Sequence, residues 1–193
     1  MPEYTQVFGT IEESFDPGQL ISHNSMVIDA IQLTAAWRRC SLSSDFWARY
    51  TSFFVPPQAI HGHLDRAAAN SVFSYLLNEL FENCAKFSRG EQTEIRYECW
   101  VLPDRLVFQM SNHILPGAVE SFAALIRQLL EKDPEELYFA TLEENALSNA
   151  GSSGLGYLTL IKDYGIRFGF GFQKIGPHDV RVDVQAQVSR KET

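Results

Sequence analysis

Asn78-Glu79-Leu80-Phe81-Glu82-Asn83-Cys84-Ala85-Lys86-Phe87-Ser88 closes an apolar run that begins at Ser71. Read at helical spacing, Glu79, Asn83 and Lys86 stand at i, i+4 and i+7 and share one face. Val72, Phe73, Leu76, Leu77, Leu80, Phe81, Cys84 and Phe87 cover much of the rest. An apolar arc that wide exceeds what a surface helix carries. The stretch therefore predicts a helix packed into a core on most sides, with a carboxylate, a carboxamide and an ammonium in a narrow polar stripe. On an ordinary amphipathic helix such a stripe is simply solvated.

A second motif lies downstream, Gly151-Ser152-Ser153-Gly154-Leu155-Gly156-Tyr157-Leu158-Thr159-Leu160-Ile161. A glycine-rich loop that opens an apolar helix leaves backbone N–H groups aimed at an anion. Gly154 and Gly156 permit close backbone approach. The plainer alternative is a connecting loop. Taken in order, the two motifs resemble those of the GHKL ATPase superfamily, the Bergerat fold of gyrase, MutL, sensor histidine kinases and anti-sigma serine kinases. Glu79-x-x-x-Asn83-x-x-Lys86 is similar to its N-box, and Gly154-Leu155-Gly156-Tyr157-Leu158 to its second glycine box. The resemblance spans about residues 55 to 188. It implies an α+β fold: a two-layer sandwich whose mixed, mostly antiparallel sheet is covered on one face by helices. It also implies one domain over 1–193, with an N-terminal extension over 1–55 and a nucleotide-binding core over 56–188.

Composition sets outer bounds. The chain has 193 residues, 45% hydrophobic and 21% charged, enough for one domain with its own core. A net charge of −8 argues against nucleic acid or an anionic membrane as partner. Three cysteines, Cys40, Cys84 and Cys99, contain no C-x-x-C and fit buried free thiols in a reducing compartment. No apolar run reaches the length of a membrane span. Met1 to Thr10 lacks the basic start and apolar block of a signal peptide. The expectation is a cytoplasmic protein.

Residues 4–11 alternate weakly, as an edge strand does. Asp16-Pro17-Gly18 marks a turn. Met26, Ala30, Leu33 and Trp37 recur at helical spacing and predict a helix from Ser22 or Asn24 to about Arg39, followed by a second over 44–54. This segment reads equally as a docking or dimerisation element and as a lid on the sheet. His61-Gly62-His63-Leu64-Asp65 has the spacing of a metal motif, but Arg66 stands where a metallo-hydrolase carries a further His. A polar helix entry is the expected role. Thr93 to Trp100 alternates as a half-buried strand, Pro103-Asp104 turns it, and 105–111 returns. Helices follow over 116–133 and 134–150, the second acidic through Glu135, Glu136, Glu143 and Glu144. The helix opened by Gly151–Gly156 ends near Gly165. Two strands, 166–175 and 180–188, complete the sheet.

The superfamily resemblance assigns roles. Asn83 is the metal-holding residue, giving its amide oxygen to Mg²⁺; Glu79 is the catalytic base; Lys86 meets a phosphate. Gly151, Gly154, Leu155 and Gly156 cradle the polyphosphate of ATP. The first glycine box, Asp-x-Gly-x-Gly, is replaced here by Asn112-His113-Ile114-Leu115-Pro116-Gly117, so Asn112 would accept the adenine amino group in place of the Asp. A Glu at the N-box start and a single stand-alone domain most resemble an anti-sigma serine kinase, and the altered first glycine box together with the extra N-terminal helices most resembles the SiaB-type bacterial family. That resemblance implies a serine/threonine protein kinase of a partner-switching system. Its substrate would be a small STAS-domain partner, with a homodimer as the plausible assembly. The competing reading is a GHKL-fold module that has lost ATP and works by docking a protein; a general ATP hydrolase is the third.

Overall fold

The computed structural model describes residues 4–30, 37–55, 66–88, 94–148 and 154–189. Among them are six strands: β1 (Gln6–Gly9), β2 (Ser22–Asp29), β3 (Glu94–Val101), β4 (Arg105–Ile114), β5 (Arg167–Gly176) and β6 (Asp179–Ser189). Five helices accompany them: α1 (Trp37–Ser52), α2 (Arg66–Phe87), α3 (Val119–Glu131), α4 (Pro134–Ser148) and α5 (Leu155–Tyr164). The strands form one sheet in the order β1-β5-β6-β4-β3-β2. The fold is α+β, with the helices layered on the sheet. Every pairing is antiparallel, so the parallel component of the expected mixed sheet is absent among the described strands. The chain explains why: β3–β4 and β5–β6 are hairpins with short turns, which only antiparallel partners allow.

Alternation decides what each face carries. On one face β3 buries Ile95, Tyr97, Cys99 and Val101, β5 buries Phe168, Phe170 and Phe172, and β6 adds Val182, Val184 and Ala186. Helix rings meet this face: Phe73 lies 5.2 Å from Phe108, Phe81 6.1 Å from Tyr97, and Phe122 5.7 Å from Phe172. The wide apolar arc of α2 is real, because α1 covers a further side of it, lying beside α2 with Trp47 against Tyr97 and Met26 of the sheet. Helix α1 does so with Cys40, Ser44, Ala48 and Thr51, a row of small buried residues that lets the two helices approach closely. Phe87 is the exception to the predicted arc; it is 43% exposed at the helix end.

The opposite face alternates Gly169 and Gly171 with the polar side chains of Asp183, Gln185 and Gln109, all buried. The N-terminal segment covers it. β1 pairs on one sheet edge and β2 on the other, so residues 10–21 cross from edge to edge. A Cβ at Gly169 or Gly171 would collide with Thr10, Ile11 or Tyr4. The Gln185 carboxamide accepts from the Glu12 N–H at 2.9 Å and donates to the Glu12 carbonyl at 2.8 Å, as a neighbouring strand would. Tyr4 donates to Asp183 at 2.8 Å, and Phe15 stacks on Trp100 at 4.6 Å.

The expected helix from Ser22 or Asn24 is a correction. Residues 22–29 are strand β2, paired along its whole length with β3. Ser22, Asn24, Met26 and Ile28 are the less exposed set, and His23, Ser25, Val27 and Asp29 point out. The helical spacing of Met26 with Ala30 yields to eight ladder partners on an otherwise open edge. A helix does follow, but as α1 from Trp37. Strand β1, the turn over 17–19, both hairpins and the remaining helices form where predicted, within a few residues. His61 to Asp65 lie outside the described residues. No helix among the described residues is long and apolar enough to cross a membrane.

Candidate functional site

Helix α2 places Glu79, Asn83 and Lys86 on one side, as their spacing requires, and that side opens on a cavity of about 420 Å³. Helices α3, α4 and α5 and strand β5 supply the other walls. The volume lies within the range of small-molecule sites. Its lining combines apolar side chains, among them Phe122, Leu129, Leu158 and Phe170, with the polar Glu79, Asn83, Lys86 and Glu144.

Two glycines sit at the start of α5, in the cavity wall. Gly154 precedes α5 with φ 85°, a left-handed conformation that glycine adopts at little cost. It provides no side-chain cap, and with Gly156 it puts the start of α5 in the cavity wall. Gly156 is buried, and a Cβ built on it would overlap the Glu79 carboxylate. The carboxylate thus rests on bare backbone. Burial raises its pKa above the usual carboxylate range, and repulsion from Glu82 adds to the rise. Next to Gly156, Tyr157 also lines the cavity. Burial, above all, also drives this phenol upward.

The other predicted residues fall in three places. Gly154 and Gly156 line the cavity with the α2 triad, whereas Leu155 is partly buried and is not among the lining residues. Gly151 lies outside the described residues. Asn112 is also outside the lining. Strand β4 runs to Ile114, three residues beyond the predicted end, and keeps Asn112 in the ladder opposite Val182. There it is buried and donates to Ser88 Oγ at 3.2 Å, tying β4 to the residue after α2. The sequence motif contained Tyr157 without a role for it, and Phe122 and Phe170 were core residues only. Position was the available signal for Tyr157: it directly follows the glycine that meets Glu79.

The remaining titratable groups point away from other chemistries. All three cysteines are buried and free; burial lifts Cys84 above an ordinary thiol and Cys99 to about 12, so neither is a nucleophile at neutral pH. No group of three or more His, Cys, Asp or Glu among the described residues is placed to hold a metal ion.

No family model matches the chain, and no curated protein matches it. The fold resembles a chain of the SiaB–SiaC complex. In that crystal structure, from Pseudomonas aeruginosa, the matched chain superposes with a TM-score of 0.52 at 11% sequence identity, over 88% of this chain and 91% of that one. At this identity the likeness is one of fold.

The donor set fits a magnesium nucleotide. A carboxamide oxygen is a hard ligand, and an ammonium stands three residues away. The Gly156 cradle admits a close approach that any side chain would block. Aromatic walls at Phe122, Tyr157 and Phe170 suit a planar base. Among the described lining residues the acidic Glu79 and Glu144 stand with one ammonium, Lys86, so a polyphosphate would suit this lining better with a divalent cation than without one.

Proposed function

We propose that the chain is an ATP-dependent serine/threonine protein kinase of a partner-switching system, acting on a small STAS-type protein. The observation that carries this reading is the juxtaposition of Glu79 and Asn83 with the uncapped start of α5 in one cavity. When bound, magnesium neutralises charge on the phosphates. The chain's own residues do the rest. Asn83 presents its amide oxygen to the cation. Lys86 and the first N–H groups of α5 hold phosphate oxygens and orient the terminal phosphoryl group. Glu79 accepts the proton of the attacking serine or threonine hydroxyl. Its raised pKa makes it a stronger base than an exposed glutamate. Transfer of this kind needs positioning and charge stabilisation more than covalent chemistry. A protein partner is supported by the likeness to a chain solved in a two-protein complex.

One observation favours a second reading, a docking module without nucleotide. Asn112 is committed to Ser88 and does not line the cavity, so the adenine amino group lacks the partner that the superfamily supplies. Incubation with γ-labelled ATP, Mg²⁺ and a STAS-domain protein separates the two. The kinase reading expects label on a serine or threonine of that protein, lost with Glu79→Gln. Partner binding with no label transfer would establish the docking module instead.

A further inference from the structure

Strand β2 is the outermost strand on its side of the sheet, and no described strand lies beyond it. Its eight residues pair with β3 in unbroken register and contain no proline and no lysine, the devices that keep an open edge from recruiting another strand. Helix α1 lies above this edge, with Trp47 against Tyr97 of β3 and Met26 of β2, whereas α2 lies further in, with Phe73 against Phe108 of β4. The side of α1 turned away from α2 is therefore the side of the open β2 edge.

That side is apolar. Cys40, Ser44, Ala48 and Thr51 are the buried row of α1, turned to α2. A step of two residues moves about 200° round a helix. Leu42, Phe46 and Tyr50, with Phe53 just past the helix end, thus form a stripe on the opposite side. They are 39–67% exposed. An apolar stripe contiguous with an unpaired strand edge marks an interaction surface.

The surface is complementary to itself. Packed antiparallel on its own copy, α1 sets Leu42 against Phe53 and Phe46 against Tyr50. At the rim it sets the exposed Asp45 against the exposed Arg49. All three exchanges centre near Trp47. An antiparallel pairing of β2 with its copy centres near Met26, the middle of the strand. The Trp47 indole N–H donates to Met26 Sδ at 3.2 Å, so the two centres lie one above the other. A single two-fold axis passes beside both layers.

We propose that this face binds a second copy of the chain, with β2 continuing the sheet into its copy and α1 packing on α1 about that axis. The contact is isologous, the commonest kind in homodimers. Both cavities stay open, because β5 stands four strands from β2. The inference does not rest on the nucleotide reading.

Sedimentation velocity on the full chain tests it. The wild type is expected to sediment as a dimer that dissociates on dilution. Phe46→Arg, at an exposed position, is expected to raise the dissociation constant about 30-fold or more, as loss of a central aromatic anchor does, with circular dichroism unchanged. Arg49→Asp places like charges together at the rim and is expected to weaken the dimer about three- to tenfold. Asp45 also accepts a hydrogen bond from Ser74, so the double reversal Asp45→Arg with Arg49→Asp is the decisive variant. It is expected to recover to within about threefold of the wild type. A wild type that is monomeric at every concentration overturns the proposal, as does a Phe46→Arg dimer as tight as the wild type. A double reversal weaker than Arg49→Asp alone also overturns it, by excluding the antiparallel arrangement. If Phe46→Arg fails to fold, the charge reversals decide. A monomeric wild type that loses binding of a STAS-domain protein on Phe46→Arg would give the face to that partner and overturn self-pairing.

Discussion

Glu79 sits against the Gly156 backbone with its pKa raised by burial and by Glu82. In an unfolded chain a glutamate titrates near 4.3. Between that value and the higher folded one, the folded state binds more protons, so stability falls as pH rises. The ionised carboxylate thus opposes folding at neutral pH while it serves as a base. Glu79→Gln, of the same shape, is expected to raise Tm at pH 7 and to have no effect below about pH 4, where the wild-type acid is protonated in both states. A lower Tm at pH 7 would mean that the carboxylate is held by a stabilising partner. The same variant is expected to keep nucleotide binding and to lose phosphoryl transfer by about 10²–10⁴-fold, the usual worth of a positioned base. Equal activity removes Glu79 from the mechanism. Gly156→Ala forces a methyl group into the carboxylate and is expected to cost about 1–3 kcal/mol in chemical denaturation. In a Glu79→Ala background most of that cost is expected to vanish. The same cost in both backgrounds would show that the collision is with something other than Glu79.

At the scale of elements, the sequence was informative wherever one period dominated. The α2 stripe, both hairpins and the Gly154–Gly165 helix could be read because each pattern repeats over several turns or pleats. Ser22–Asp29 misled because Met26 lies at helical spacing to Ala30 and at strand spacing to Ile28, and only the pairing with β3 decides between them. The strap was legible in principle. Phe168-Gly169-Phe170-Gly171-Phe172 places glycine at each outward position, which is what a strand needs if another chain segment lies against its back. What no local pattern reveals is that the covering segment is the N-terminus. Tyr4→Phe probes that contact. It removes one of the two side-chain partners that the fully buried Asp183 has among the described residues, leaving Arg181 at 2.8 Å. A hydrogen bond to a charged group is worth about 1.5–3 kcal/mol, and a loss of that order is expected in urea denaturation. An unchanged midpoint would mean that the strap adds nothing to stability through Tyr4.

Seen across the whole molecule, the strap seals one face of the sheet and α1 with α2 cover half of the other. The cavity lies in the remaining part of the helical layer, where α2, α3, α4 and α5 converge over β5. Glu144 read as part of a solvated acidic face and lines the cavity, whereas Glu79, Asn83 and Lys86 were legible from their spacing, because a helix fixes their relation. Their relation to Gly156 and Tyr157 was not, since it depends on how α5 docks on α2. Nor was the position of Asn112, which turns on where β4 ends. The electrostatic balance is likewise a property of the assembled fold: Glu79 and Glu144 face Lys86 inside a chain of net charge −8. On the proposed reading, such a site would hold a nucleotide only with its cation. The most direct measurement is calorimetric titration of ATP into the protein with and without Mg²⁺, repeated with Asn83→Ala. The account predicts binding by the wild type that requires Mg²⁺, and no Mg²⁺-dependent binding by the variant. Absence of binding at saturating ATP, or binding indifferent to both Mg²⁺ and Asn83, would contradict it.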